Sequence, residues 1–384
     1  MKEIKHFDIA IIGAGPAGCS AALSLRNADC SVALFDKAQF PRTKICGDGL
    51  CDRTINTLKA ISPAYLEEFI STQDAMCLKY TELYYKGRPY LVDFKNFGYV
   101  CRRYDFDAFL FSLVQRDCKN ASVFQNCGIQ SITPVPNGMQ LIDEQGETYE
   151  AKMVLVCNGA ASKLARNLTG SSYDKESMGV AIRAYYSGVA GLKPDTIELH
   201  YKKEYFPGYL WIFPMAGGTA NVGFGCKVPD NQEGGETLQH MFEQWIASDE
   251  TLKARFSQAK QLSLLQGGLV PYNTGNFSLY GDNFCVCGDA ANLIDPISGG
   301  GIGSAMVSGR FAALVAEECV RTGNCSKQAT EQYAKNLRQR VEKEMKTRGY
   351  LQRTISKHLW LLDVLAFVGK QSRIFSKIKN WYLG

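Results

Sequence analysis

A doubly wound α/β unit, interrupted by an antiparallel sheet and followed by a helical C-terminus, is the fold class this 384-residue sequence predicts. Short apolar runs meet glycine-containing turns at residues 7–12, 153–157 and 283–287, as expected of strands buried on both faces of a parallel sheet. Residues 79–94 and 180–226 instead alternate β-branched or aromatic residues with polar ones between Gly and Pro, which predicts antiparallel strands. After Gly323 the pattern is helical and charged. With 46% hydrophobic and 21% charged residues, neither a disordered chain nor a multi-span membrane protein fits.

The first strand runs into Gly13-Ala14-Gly15-Pro16-Ala17-Gly18, a small-residue helix follows to about residue 27, and a second strand, 32–35, ends on Asp36 and Lys37. The first glycine permits a tight turn, the second lets backbone approach a pyrophosphate, and the third lets helix pack closely on strand. The helix N-terminus supplies N–H donors to the phosphates, and Asp36 can accept from a ribose hydroxyl. A helix is expected at 103–114, and the strand 153–157 ends in Asn158-Gly159. The strand 283–287 leads into Gly288-Asp289 and then Pro296-Ile297-Ser298-Gly299-Gly300-Gly301-Ile302-Gly303 before a helix at 303–320. This second polar strand end suits the other half of a long dinucleotide: Asp289 for ribityl hydroxyls, and the helix dipole facing a flavin pyrimidine. FAD rather than NAD is therefore the expected cofactor, held without a covalent link.

The expected organisation is a Rossmann-type FAD-binding domain of residues 1–75, 96–172 and 266–322. An inserted substrate domain follows at 76–95 and 173–265, and a C-terminal helical region at 323–384. The net charge of +5 gathers in the tail, where Arg348, Arg353, Lys357, Lys370, Arg373, Lys377 and Lys379 face only Asp363. The rest of the chain is near neutral, so a nucleic-acid partner is not expected. Fourteen cysteines lack the paired spacing of a zinc site, so no metal is expected and the thiols read as reduced. With no signal-like N-terminus, the expectation is a cytoplasmic protein, its basic tail and apolar residues 359–368 being a candidate peripheral membrane contact.

Four stretches are similar to the geranylgeranyl reductase family, within the group-A flavoprotein fold of hydroxylases, over roughly residues 5–320. They are the Gly13–Gly18 turn, Pro41-Arg42-Thr43-Lys44-Ile45-Cys46-Gly47, Tyr209-Leu210-Trp211-Ile212-Phe213-Pro214 followed by Asn221-Val222-Gly223, and Gly288-Asp289 through Ile302. The segment Arg103-x-x-Phe106-Asp107 also resembles a flavin-contacting arginine segment of that family. The resemblance implies reduction of C=C bonds in a hydrophobic, isoprenoid-type small molecule or lipid. It adds Lys37, Arg42, Cys46, Gly47, Arg103, Gly288, Pro296, Gly299, Gly301 and Ile302 to the expected cofactor contacts. Cys46, Tyr209 and Trp211 become the candidate catalytic residues, with Phe213 and Pro214 completing a wall. Where flavin hydroxylases carry Asp-Gly, this chain has Asn158-Gly159, so the reductant is either NAD(P)H bound transiently or another redox protein.

Other readings stay open. Tyr-x-Trp-x-Phe-Pro also resembles the Trp-x-Ile-Pro motif of flavin-dependent halogenases, so a monooxygenase or halogenase is the alternative. A flavin electron carrier resembling electron-transfer flavoprotein dehydrogenases is a third, disfavoured in its iron–sulfur form because no cluster-binding cysteine motif is present. His6, His200, His240 and His358 share no motif and receive no role. Arg42 and Lys44 favour a Cys46 thiolate while burial favours the thiol, and the sequence leaves its charge open.

Overall fold

The computed structural model describes residues 4–160, 162–171, 178–227, 237–272 and 279–368. Among them, Lys5–Ile12 lies at the centre of an eight-stranded sheet, flanked in parallel by Val32–Phe35 and Thr148–Val156. Ala121–Phe124 extends one side and Phe284–Val286 the other, also in parallel. Ile9, Ile11, Leu34, Val154, Leu155 and Val286 are fully buried, which is why these strands read as unbroken apolar runs.

Two helices clamp this sheet. Pro16–Ser24 begins with Gly15 as its cap and proline in its first turn, where a missing N–H costs nothing. Ile302–Thr322 crosses it so closely that a Cβ on Gly309 would stand 2.0 Å from the Ala17 carbonyl oxygen. The Ser20 hydroxyl donates to the Met306 carbonyl at 2.7 Å in the same contact. Segments 286 residues apart are thereby packed into one core.

The second sheet has nine strands among the described residues, in the order Lys260–Gln261, Met178–Ser187, Thr219–Lys227, Tyr209–Met215, Thr196–Tyr201, Met76–Tyr85, Arg88–Val100, Gly49–Leu50. Gln266–Pro271 pairs with Met178–Ser187 off this path. One pairing departs from the antiparallel expectation, since Thr196–Tyr201 runs parallel to Met76–Tyr85. The chain between them passes through the whole α/β unit, and a crossover that long permits a parallel return. Gly49–Leu50 and Gln266–Pro271 belong to this sheet by pairing, although the sequence reading assigned both to the cofactor unit. Two residues of strand, or six with Gly267-Gly268 at their head, carry too little periodicity to reveal a sheet partner.

At the C-terminus, Lys327–Leu337 is anchored by fully buried Tyr333, whose hydroxyl donates to the Val286 carbonyl at 2.7 Å. Lys343–Lys357 and Trp360–Val368 follow. No helix of the described residues is long and apolar enough to cross a membrane. Lys370, Arg373, Lys377 and Lys379 lie outside the described residues.

Candidate active site

A cavity of about 910 Å³ runs between the two sheets. The glycine turn opens one side. Gly13 has φ +100°, and a Cβ there would lie 2.5 Å from the Cys157 carbonyl oxygen, so only glycine fits. Gly15, Pro16 and Ala17 line the cavity. Gly18 does not; a Cβ there would stand 1.8 Å from the Gly13 carbonyl oxygen, so its part is helix-on-strand packing. Asp36 is buried, accepting from the Ala14 N–H at 2.7 Å and the Ala38 N–H at 2.9 Å. Each carboxylate oxygen keeps a lone pair for a further donor. Lys37, Arg42, Cys46, Gly47, Arg103, Gly288, Asp289, Pro296, Gly299, Gly301 and Ile302 also line the cavity.

Asp107 organises the cations here. Arg103 holds it with two bonds at 2.6 and 2.7 Å, and Arg42 reaches it at 3.0 Å. Lys44 spans the cavity to Asp289 at 3.1 Å. Both cations beside Cys46 in sequence are thus engaged elsewhere. Burial pushes the Cys46 thiol up, outweighing the opposing pull of Arg103. That direction favours the thiol over the thiolate, the choice the sequence left open.

The aromatic segment supplies a second wall by strict alternation. Tyr209, Trp211 and Phe213 line the cavity, whereas Pro214 takes the opposite face of Tyr209–Met215 and is removed from the expected wall. Gly47 packs directly on this wall: a Cβ would meet Phe213 Cε2 at 3.2 Å and Trp211 Nε1 at 3.4 Å. The Trp211 indole N–H donates to Asn221 Oδ1 at 2.9 Å. Asn221 in turn donates to the Cys46 carbonyl at 2.8 Å and to Asp48 Oδ2 at 2.7 Å. The Tyr185 hydroxyl donates to the same Asp48 oxygen at 2.8 Å, and the Arg103 N–H to Oδ1 at 3.1 Å. Asp48 is fully buried with φ 67°, and burial raises its pKa against these donors. Tyr209 donates its hydroxyl to the Ser298 carbonyl, tying the wall to the Pro296–Gly301 turn.

Sequence reasoning missed Asp48, Tyr185 and Arg183, gave Asn221 no role, and counted Arg348 as part of a basic tail. Arg348 instead is buried, pairing with Asp295 at 2.6 Å and Glu344 at 2.6 Å beside the cavity. Asp295 accepts from the Ile297 and Ser298 N–H groups at 2.9 Å each, so the last helices brace the Pro296–Gly301 turn. Cys127, Gly128 and Glu144 line the end near Asp36. His200 belongs to another cluster, with Glu198 at 3.1 Å, which Arg255 grips at 2.5 and 2.8 Å.

A cradle that tolerates no Cβ at Gly13, a helix N-terminus opening on it and a second glycine turn across an elongated cavity fit a bound FAD. The fold and site define an FAD-dependent oxidoreductase. Known proteins narrow this. A pyridine nucleotide-disulphide oxidoreductase family model matches residues 7–183, and a geranylgeranyl reductase catalytic domain model matches residues 178–269. A digeranylgeranylglycerophospholipid reductase of Methanoculleus marisnigri is 26% identical over 85% of this chain and 81% of its own. A menaquinone reductase of Mycolicibacterium smegmatis is 27% identical over 80% and 75%. Among solved structures, a geranylgeranyl bacteriochlorophyll reductase-like protein of Thermoplasma acidophilum superposes with TM-score 0.79 at 24% identity, covering 92% of this chain and 88% of that one. A flavin-dependent brominase superposes with TM-score 0.77 at 20% identity, covering 98% and 93%. The chain is an FAD-dependent oxidoreductase similar to the geranylgeranyl reductases.

Proposed function

We propose that this protein reduces carbon–carbon double bonds of an isoprenoid lipid, with Cys46, Tyr209 and Trp211 at the reacting end of the cavity. One observation carries the reading: a single cavity joins the dinucleotide cradle to an apolar chamber lined by Ile197, Leu199, Ala181, Gly225, Gly268 and Leu269, with Cys46 and Gly47 on its wall. Such a chamber suits a hydrocarbon chain, with Leu269, 46% exposed, on its open side. When bound and reduced, FAD supplies a hydride. The Cys46 thiol holds a proton beside the aromatic wall and is the donor for the other alkene carbon. Asn221 fixes both the Trp211 ring and the Cys46 backbone, so the thiol and the wall keep one geometry. Asp289, Asp36 and the Gly13–Gly15 backbone hold the cofactor, Asp289 exchanging Lys44 for a hydroxyl donor.

Anaerobically reduced holoenzyme mixed with a lipid bearing C20 prenyl chains is expected to regain its oxidised visible spectrum and yield product heavier by two hydrogens per bond reduced. Reoxidation by oxygen alone, with hydroxylated or halogenated product, would transfer the assignment to the alternative class.

The lipid is taken at a membrane surface in this reading. Trp360, Val364 and Phe367 are 60%, 42% and 66% exposed at i, i+4, i+7 spacing, forming one apolar face of Trp360–Val368. Asp363 docks that helix through Lys86 at 2.8 Å, Lys203 at 2.6 Å and Tyr85 at 2.9 Å, leaving the face outward. Flotation with anionic liposomes is expected to recover the full chain and lose a chain ending at Lys357; the cut spares Arg348. Equal recovery of both removes the membrane contact.

A further inference from the structure

Arg183 is an arginine on the cavity face of Met178–Ser187 that the chemistry above does not use. It is only 3% exposed. Its Nε has no hydrogen-bond partner, and although the buried Asp48 carboxylate feels its charge, no carboxylate of the described residues is close enough to form an ion pair with it. Its guanidinium carbon sits 4.4 Å over the Tyr185 ring, which orients the planar group but provides no counter-charge. The other buried arginines among the described residues are paired: Arg103 with Asp107, Arg348 with Asp295. A guanidinium cannot discharge by losing its proton, and one that only shares the field of Asp48, without a hydrogen-bonded carboxylate, keeps N–H groups free for an acceptor in the cavity.

The strand register says what that something touches. Arg183 pairs with Gly223, and Gly223 with Trp211. A Cβ on Gly223 would meet Trp211 Cζ2 at 2.2 Å, so the indole lies across the glycine toward the arginine. The next row away from Phe213 and Asn221 is Tyr209, Gly225, Ala181 and Gly268, all lining the cavity. Arg183 therefore stands where the polar network of Asp48 and Asn221 gives way to the apolar chamber. The pyrophosphate-type cradle at Gly13 and Gly15 belongs to the other sheet, which has its own helix N-terminus for phosphate.

We propose that Arg183 is a specificity-determining residue that binds an anionic phosphate oxygen at the head of the isoprenoid substrate, and so sets the register of the hydrocarbon against Cys46 and Trp211. This rests on the isoprenoid-lipid reading above. A prenyl chain alone offers a guanidinium nothing to accept its hydrogen bonds; a phosphate ester offers several oxygens and can engage two N–H groups at once. The same chemistry is carried by a free prenyl diphosphate and by a prenylated phospholipid.

The test titrates oxidised holoenzyme with a C20 prenyl diphosphate, a C20 prenyl-chain phospholipid and the uncharged C20 prenyl alcohol, following the visible flavin spectrum. Wild-type protein is expected to bind at least one phosphate-bearing compound roughly 10- to 100-fold more tightly than the alcohol, the range for a charged hydrogen-bonded contact. Which of the two it prefers tells the phosphate's source. In Arg183→Gln the preference disappears while FAD content and flavin midpoint potential stay as in the wild type, and Arg183→Lys keeps part of it. If Arg183→Gln does not retain FAD, Arg183→Lys decides, since an undiminished preference there overturns the proposal. The proposal also fails if the preference survives Arg183→Gln, or if that variant shifts the midpoint potential with the preference intact, which would assign the charge to the flavin. Wild-type binding of all three compounds with equal strength removes the role of Arg183 alone. Binding of none removes the isoprenoid-lipid reading, and this proposal with it.

Discussion

Gly18→Ala is expected to purify with little or no FAD. The added methyl would stand 1.8 Å from the Gly13 carbonyl oxygen and 3.3 Å from Ile11 Cγ2. The first clash is with backbone, so no rotamer relieves it. Helix Pro16–Ser24 must lift from Lys5–Ile12, and the turn that presents Gly13 and Gly15 to the pyrophosphate moves with it. Overpacking of this kind costs about 3 kcal/mol, which corresponds to about 10²-fold in FAD affinity if it falls on the holo form. The flavin-to-protein ratio after desalting measures it. Gly323→Ala is the control, because Gly323, unlike Gly18, has positive φ (69°) but nothing within 4 Å of its added Cβ. There only the left-handed backbone is strained, at about 1 kcal/mol, and FAD should stay. Full FAD occupancy in Gly18→Ala would contradict the packing argument.

Cys46→Ser is expected to keep its fold and FAD while losing about 10²-fold in turnover, the usual loss for one acid–base group. Removing a thiol that is merely buried bulk would leave turnover near the wild-type value, since a serine hydroxyl is smaller and can keep the hydrogen bonds that Cys46 makes with the Asp48 backbone and Arg103. The pH profile separates the two further. Burial raises the thiol above its ordinary value of 9.0, so the protonated form persists through neutral pH. A wild-type rate flat across neutrality that falls only above that value is therefore expected, and the fall should vanish in Cys46→Ser. A variant that oxidises with its lipid at the wild-type rate would leave Cys46 a packing role.

The two half-sites of the cofactor were legible because their requirements are local. A glycine that must adopt φ +100° or avoid a clash with its own turn leaves its mark within six residues, and Gly13 and Gly18 do so. Alternation along Tyr209–Met215 was equally readable as a strand, but the sequence reading still put Pro214 on the wall with Trp211 and Phe213, from which period two separates it. That separation is visible only once one face is known to be the cavity.

Charge and partnership were another matter. Arg42 and Lys44 stand four and two residues from Cys46, yet their carboxylates are Asp107 and Asp289, which the chain brings from 65 and 245 residues away. Arg348 reads as one more cation of a basic tail until its helix is folded against Asp295. Asp48 and Asn221 carry no motif, but share a hydrogen bond across 173 residues at the centre of the wall. By itself the sequence determined the strand–turn–helix units, the cofactor class and the alternation of the aromatic strand, all of which depend on backbone conformation and spacing within one segment. Tertiary structure alone decided which buried charges are neutralised and which, like Arg183, keep a side chain turned to the cavity. Coulomb energy and desolvation depend on distances through space, and those are fixed only when the two sheets close on each other.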